Sequence, residues 1–171
     1  MYANKSALPK TGYDVLAVTL HAYLLCESPT TGVEEVAAIA GTQRGIVLSN
    51  DRFLISFGLL AKGTGRALTT LGRQLAIALR DGDEEHAGML WRQICGKRPT
   101  VKKLLQNLRA AGPVSKEALS RTIAAAFDQP DDRLTRRGAN TLTRILQIAG
   151  CLRAEEEQFV CETPELAAAK A

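Results

Sequence analysis

The chain has 171 residues, 46% of them hydrophobic and 23% charged, with a formal net charge of +4. That apolar content excludes wholesale disorder, and the length suffices for one domain with a sizeable core or for two small ones. No apolar run reaches the ~20 residues a bilayer-spanning helix needs, and residues 1–12 are too polar for a signal peptide. A cytoplasmic protein with no membrane partner is therefore expected.

Residues 1–12 carry two lysines, a proline and a glycine and are expected to form a flexible N-terminal arm. From Tyr13 to Cys26, Leu16, Leu20, Tyr23 and Leu24 recur at helical spacing, which predicts a first helix with one buried face. Ser28-Pro29-Thr30-Thr31 breaks it. Thr31-Gly32-Val33-Glu34 has capping-box spacing, opening a short helix that ends at Gly41. In the next helix Ile46, Phe53, Leu54 and Phe57 make an apolar stripe, and Arg44, Ser49, Arg52 and Ser56 fall away from it. Gly58 stops that helix. Leu59 to Leu68 then reads as two short apolar arms around Gly63-Thr64-Gly65, a hairpin with Lys62 and Arg66 on either side of its tip. Thr69 is a candidate N-cap for a helix carrying Leu71, Leu75 and Leu79.

This order of helix, hairpin and helix resembles the recognition helix and wing of a winged-helix domain. The run GLLAKGTGRALTTLGRQLA is similar to the wing and following helix of many prokaryotic transcriptional regulators of that class. The resemblance implies a helix-turn-helix whose second helix enters DNA.

An acidic break, Asp81-Gly82-Asp83-Glu84-Glu85, suits the start of a helix over 84–95 that carries Met89, Trp91 and Ile94. Trp91 is expected to anchor the core or the junction between units. Gly96-Lys97-Arg98-Pro99 reads as a linker. Beyond it the plan repeats. Val101, Leu104, Leu105 and Leu108 define a helix ending at Gly112, and Ser115 caps one with Leu119, Ile123 and Phe127 inward. A helix from Arg133 to Ala149 buries Leu142, Ile145, Leu146 and Ala149, and Leu152 to Cys161 forms a second hairpin. At an offset of 92 residues Arg44 meets Arg136, Arg52 meets Arg144, Leu54 meets Leu146, and Gly58 meets Gly150, which points to duplication.

The expected fold is mainly α with short β-hairpins, two winged-helix units joined by a helical linker. Its parts are a flexible arm over 1–12, a first unit over 13–82, a connecting helix and linker over 83–98, a second unit over 99–161 and a flexible tail over 162–171.

The second long helix carries the strongest chemical signal. Arg133, Arg136, Arg137, Asn140 and Arg144 recur at steps of three or four, opposite the apolar stripe. Guanidinium forks pair with phosphate or with guanine, and asparagine pairs bidentately with adenine. With Thr141 they form one candidate DNA-binding set. Thr42, Gln43, Arg44, Ser49 and Arg52 form the other, with Lys62 and Arg66 reaching the backbone from the wing. Lys97, Arg98, Lys102 and Lys103 are further backbone candidates, although a solvated helix start explains them equally well. Against two matching readers, the second wing carries Glu155, Glu156 and Glu157, which repel phosphate.

No catalytic pattern, nucleotide loop or cofactor motif is present in the sequence. The four cysteines, Cys26, Cys95, Cys151 and Cys161, lack metal spacing and read as small buried hydrophobes. An oxidised Cys151–Cys161 pair across the hairpin is the alternative. Two functions follow. One is a double-stranded DNA-binding transcriptional regulator associated with the nucleoid, whose two units could read half-sites about one helical turn apart. The other is a protein-interaction adaptor or scaffold subunit of a larger complex. Under the first, a homodimer through the linker helices around Trp91 is open, and the linker helices or the acidic second wing are the expected place for a protein partner.

Overall fold

The computed structural model describes residues 6–26, 28, 31–63 and 66–162. The expectations for residues 1–5, Pro29 and Thr30, the hairpin tip at Thr64 and Gly65, and the tail over 163–171 lie outside them. The described residues form eight helices and one small sheet: α1 (Tyr13–Leu25), α2 (Val33–Ala40), α3 (Arg44–Ser56), α4 (Thr70–Arg80), α5 (Glu84–Gly96), α6 (Pro99–Ala111), β1 (Val114–Ser115), α7 (Lys116–Ala126), α8 (Arg133–Ile148), β2 (Leu152–Glu155) and β3 (Gln158–Cys161).

The helices form where the apolar spacing places them, and side-chain caps set half of their starts. Thr69, Asp83, Ser115 and Asp132 each accept a hydrogen bond from a backbone N–H of the first turn, of Gly72, His86, Ala118 and Thr135 respectively. The expected capping box at Thr31 does not form. Gly32 is the N-cap of α2, and the Thr31 hydroxyl turns back to donate to the carbonyls of Cys26 and Ser28, both at 2.8 Å. The threonine closes the preceding loop instead, a local backbone bond that competes with capping.

The sheet is antiparallel with strand order β1-β3-β2, Leu152 opposite Cys161 and Val114 opposite Phe159. The β2–β3 hairpin is the one expected over Leu152 to Cys161, whereas β1 is a third strand that the sequence did not announce. The first hairpin is much reduced. Among the described residues it amounts to a single bridge between Leu60 and Leu68.

Two separate cores were expected, but the buried apolar side chains form one continuous cluster. The connecting helix α5 packs against α4, α6 and α8 within it. Trp91 is fully buried in it and donates from Nε1 to the Tyr13 hydroxyl at 3.2 Å, tying α5 to α1. Gly88 lets α5 meet the end of α8, since a Cβ there would stand 2.7 Å from the Ile148 carbonyl oxygen.

Residues 6–11 are not a loose arm. Leu8 belongs to the core, and Ser6, Pro9 and Thr11 are buried. On one side the segment is held by α3: Ala7 N–H donates to Ser56 Oγ (3.1 Å), Lys10 N–H donates to Asn50 Oδ1 (3.0 Å), and Asn50 Nδ2 donates to Thr11 Oγ1 (2.8 Å). On the other side α8 holds it, with the Thr141 hydroxyl donating to the Thr11 carbonyl at 2.6 Å. Gly138 permits the approach, because a Cβ there would fall 2.2 Å from the Pro9 carbonyl oxygen. A proline and small polar residues suggest looseness only when no groove awaits them. Here two helices supply one.

Candidate nucleic-acid interface

Helix α8 positions the main candidate surface. Its buried residues, Thr135, Gly138, Ala139, Thr141, Leu142, Ile145 and Leu146, occupy a little under half of its circumference. Arg133, Arg136, Arg137, Asn140 and Arg144 are all exposed. Successive residues turn by 100°, so these five fall within an arc of about 100°. The expected row therefore exists as a surface.

Its members differ in how free they are. Arg136 donates from Nε to Asp131 at 2.8 Å, and that neighbouring guanidinium holds the Asp131 carboxyl below the usual carboxylate range. The Arg144 guanidinium lies 5.5 Å from the centre of the Tyr13 ring, over its face. Asp132 is engaged as the N-cap, and the Thr135 N–H that it accepts lowers its carboxyl. Thr141, expected in the DNA-facing set, is buried with its hydroxyl on the Thr11 carbonyl and faces the N-terminal segment instead. It sits at the edge of the polar arc, where spacing alone does not separate inward from outward.

The flanking groove adds residues that spacing did not single out. A cavity of about 350 Å³ between α7 and α8 is lined by Lys116, Glu117, Ser120, Arg121 and Asn140, among others. Lys116 and Arg121 are exposed on α7 and extend the basic surface across it. The sequence hint was two basic positions five apart on the helix before the arginine row. At the other end a cavity of about 710 Å³ brings Asp83, Glu84 and Glu85 near Arg144. These carboxylates bound the positive surface there.

On α3, Arg44 and Arg52 are exposed, and Arg44 pairs with Glu34 of α2 at 3.3 Å. Gln43 is the exposed N-cap residue, and Thr42 is half-buried. Ser49 is half-buried and returns its hydroxyl to the Ile46 carbonyl at 2.7 Å. Lys62 is exposed on the reduced hairpin.

Arg66 departs from expectation. It does not reach outward from the hairpin but pairs with Asp51 of α3 and donates to the Tyr23 hydroxyl at 3.2 Å. The Tyr23 hydroxyl in turn donates to Asp51 Oδ1 at 2.7 Å. Asp51 is buried, so a cation must answer it. Arg98 is likewise turned inward, donating from Nη1 to the Ser56 carbonyl at 2.6 Å, while Lys97, Lys102 and Lys103 remain exposed.

The β2–β3 hairpin keeps its acidic tip exposed. Glu155, Glu156 and Glu157 are open to solvent, and Arg153 pairs with Glu155 and with Glu162. The four cysteines are free thiols. Cys161 lies opposite Leu152 in the sheet and approaches the Leu105 carbonyl at 3.6 Å. Among the described residues no three histidine, cysteine or acidic side chains assemble as a metal-holding group, and no helix is long and apolar enough to cross a membrane.

No family model matches the chain, and no curated protein or solved structure matches it either.

Proposed function

We propose that this chain is a double-stranded DNA-binding protein, a transcriptional regulator acting at the nucleoid, built on two winged-helix units with α8 as its principal groove-reading helix. One observation carries the proposal: the exposed face of α8 with its four arginines and an asparagine, opposite the side that packs Leu142, Ile145 and Leu146 into the core. The order α6, β1, α7, α8, β2, β3 supports the winged-helix assignment of the second half, and the single Leu60–Leu68 bridge leaves the first half a weaker likeness. Arg133 and Arg137 would engage phosphates or guanine edges, and Asn140 an adenine.

Fluorescence anisotropy with a labelled 24-base-pair duplex of mixed sequence tests this. Arg133→Ala combined with Arg137→Ala lowers affinity by about tenfold or more at 0.1 M salt, and reduces the slope of log K against log salt by about 2. Unchanged affinity overturns the proposal.

The acidic wing tip at Glu155–Glu157 favours the adaptor as a second reading, because it would repel a duplex lying against it. A partner retained equally at low and high salt supports that alternative.

A further inference from the structure

Two reading helices in one chain suggest two half-sites in successive major grooves, whose centres lie about 34 Å apart on one face of the duplex. The N-terminal segment holds the middles of the two helices closer together than that. Thr11 is a single residue, yet its hydroxyl is met by Asn50 of α3 at 2.8 Å and its carbonyl by Thr141 of α8 at 2.6 Å. Both partners lie near the middle of their helices. Adding side-chain reach and helix radii places the two axes no more than about 20 Å apart at that point.

The same contacts fix direction. Following the segment from residue 7 to residue 11, its partners on α3 run backwards from Ser56 to Asn50, and those on α8 run forwards from Gly138 to Thr141. The helices therefore pass it in opposite senses. Arg44 and Arg52 lie on the open side of α3, and the arginine row lies on the open side of α8. Turned about antiparallel axes, the two open sides come to the same side of the segment.

We infer that α3 and α8 act as one asymmetric reading head on a single stretch of duplex shorter than a helical turn or so. Helix α8 lies in the major groove, and Arg44 and Arg52 of α3 hold the flanking phosphates. This deepens the DNA-binding proposal and rests on it. The head needs no second chain and no second groove.

The test titrates the full chain against mixed-sequence duplexes of 8 to 30 base pairs, with complex mass read by native mass spectrometry. One chain binds per head, and affinity per available register reaches its plateau by about 12 base pairs. Arg44→Ala with Arg52→Ala weakens binding several-fold on every duplex and lowers the salt slope by about 2, with the melting temperature little changed. A plateau only beyond about 18 base pairs, an obligatory pair of chains per duplex, or an unaffected Arg44/Arg52 variant overturns the single head while leaving DNA binding intact. Failure to bind any duplex overturns both.

Discussion

At the scale of single residues, burial rather than position along the chain decides what a charge does. Arg66 follows the hairpin tip, where a basic residue would serve DNA, yet the buried carboxylate of Asp51 and the Tyr23 hydroxyl claim it. Breaking a fully buried pair costs about 3–5 kcal/mol, but Arg66 keeps 24% of its side chain exposed. Arg66→Ala therefore lowers unfolding free energy by about 2 kcal/mol in denaturant titration and changes duplex affinity less than threefold. Gly138 offers a second contrast. Alanine in a helix interior gains up to about 1 kcal/mol over glycine, but a Cβ at 138 must push the Pro9 carbonyl away. Gly138→Ala is expected to destabilise by about 1–3 kcal/mol, whereas Gly45→Ala, with nothing within 4 Å of the added carbon, stabilises slightly.

At the scale of elements, α5 and the turn after it latch both long helices by the same device. Arg98 donates to the Ser56 carbonyl at the end of α3, and Arg92 donates from Nε to the Ala149 carbonyl at the end of α8, at 2.8 Å. Each guanidinium also lies against the left-handed glycine that follows, Gly58 or Gly150. A cation at a helix C-terminus answers its unsatisfied carbonyls and dipole. Arg92→Ala and Arg98→Ala should each cost about 1–2 kcal/mol, and their effects should add if the latches are independent. Thermal unfolding of the single and double variants measures both points.

The helices were legible in the sequence because their signals are local: Leu16, Leu20, Tyr23 and Leu24 mark α1 within nine residues, and Ser115 marks the start of α7. The arginine row of α8 was legible for the same reason. What depends on distant partners was not. Strand β1 has two residues and exists only because Phe159 and Gln158 come to meet it. The inward turn of Thr141 needs Thr11, and that of Arg66 needs Asp51, neither within reach of a periodicity argument.

At the scale of the whole molecule, the titratable groups hidden in the core limit stability at high pH. Burial raises the thiols of Cys95, Cys151 and Cys161, and burial followed by donation to Asp51 raises the Tyr23 hydroxyl. A raised folded-state value means the neutral form is favoured by folding. That stability is fully present below the unfolded values, 9.0 for thiols and 10.0 for tyrosine, and is lost as pH rises past them. The melting temperature should fall steadily above pH 9. Replacing Tyr23 with phenylalanine should lower stability at neutral pH, since Asp51 loses a donor, while flattening the part of the fall above pH 10.

The seat of residues 6–11 has a temporal consequence. Those residues leave the ribosome well ahead of Gly138 and Thr141, which complete their groove about 130 positions later. Until α8 has been made, Leu8 and its neighbours lack one wall of their groove. Closure of the chain is thus a late, long-range event, and a nascent polypeptide halted before α8 should be clipped readily near its beginning by a protease that spares the finished protein.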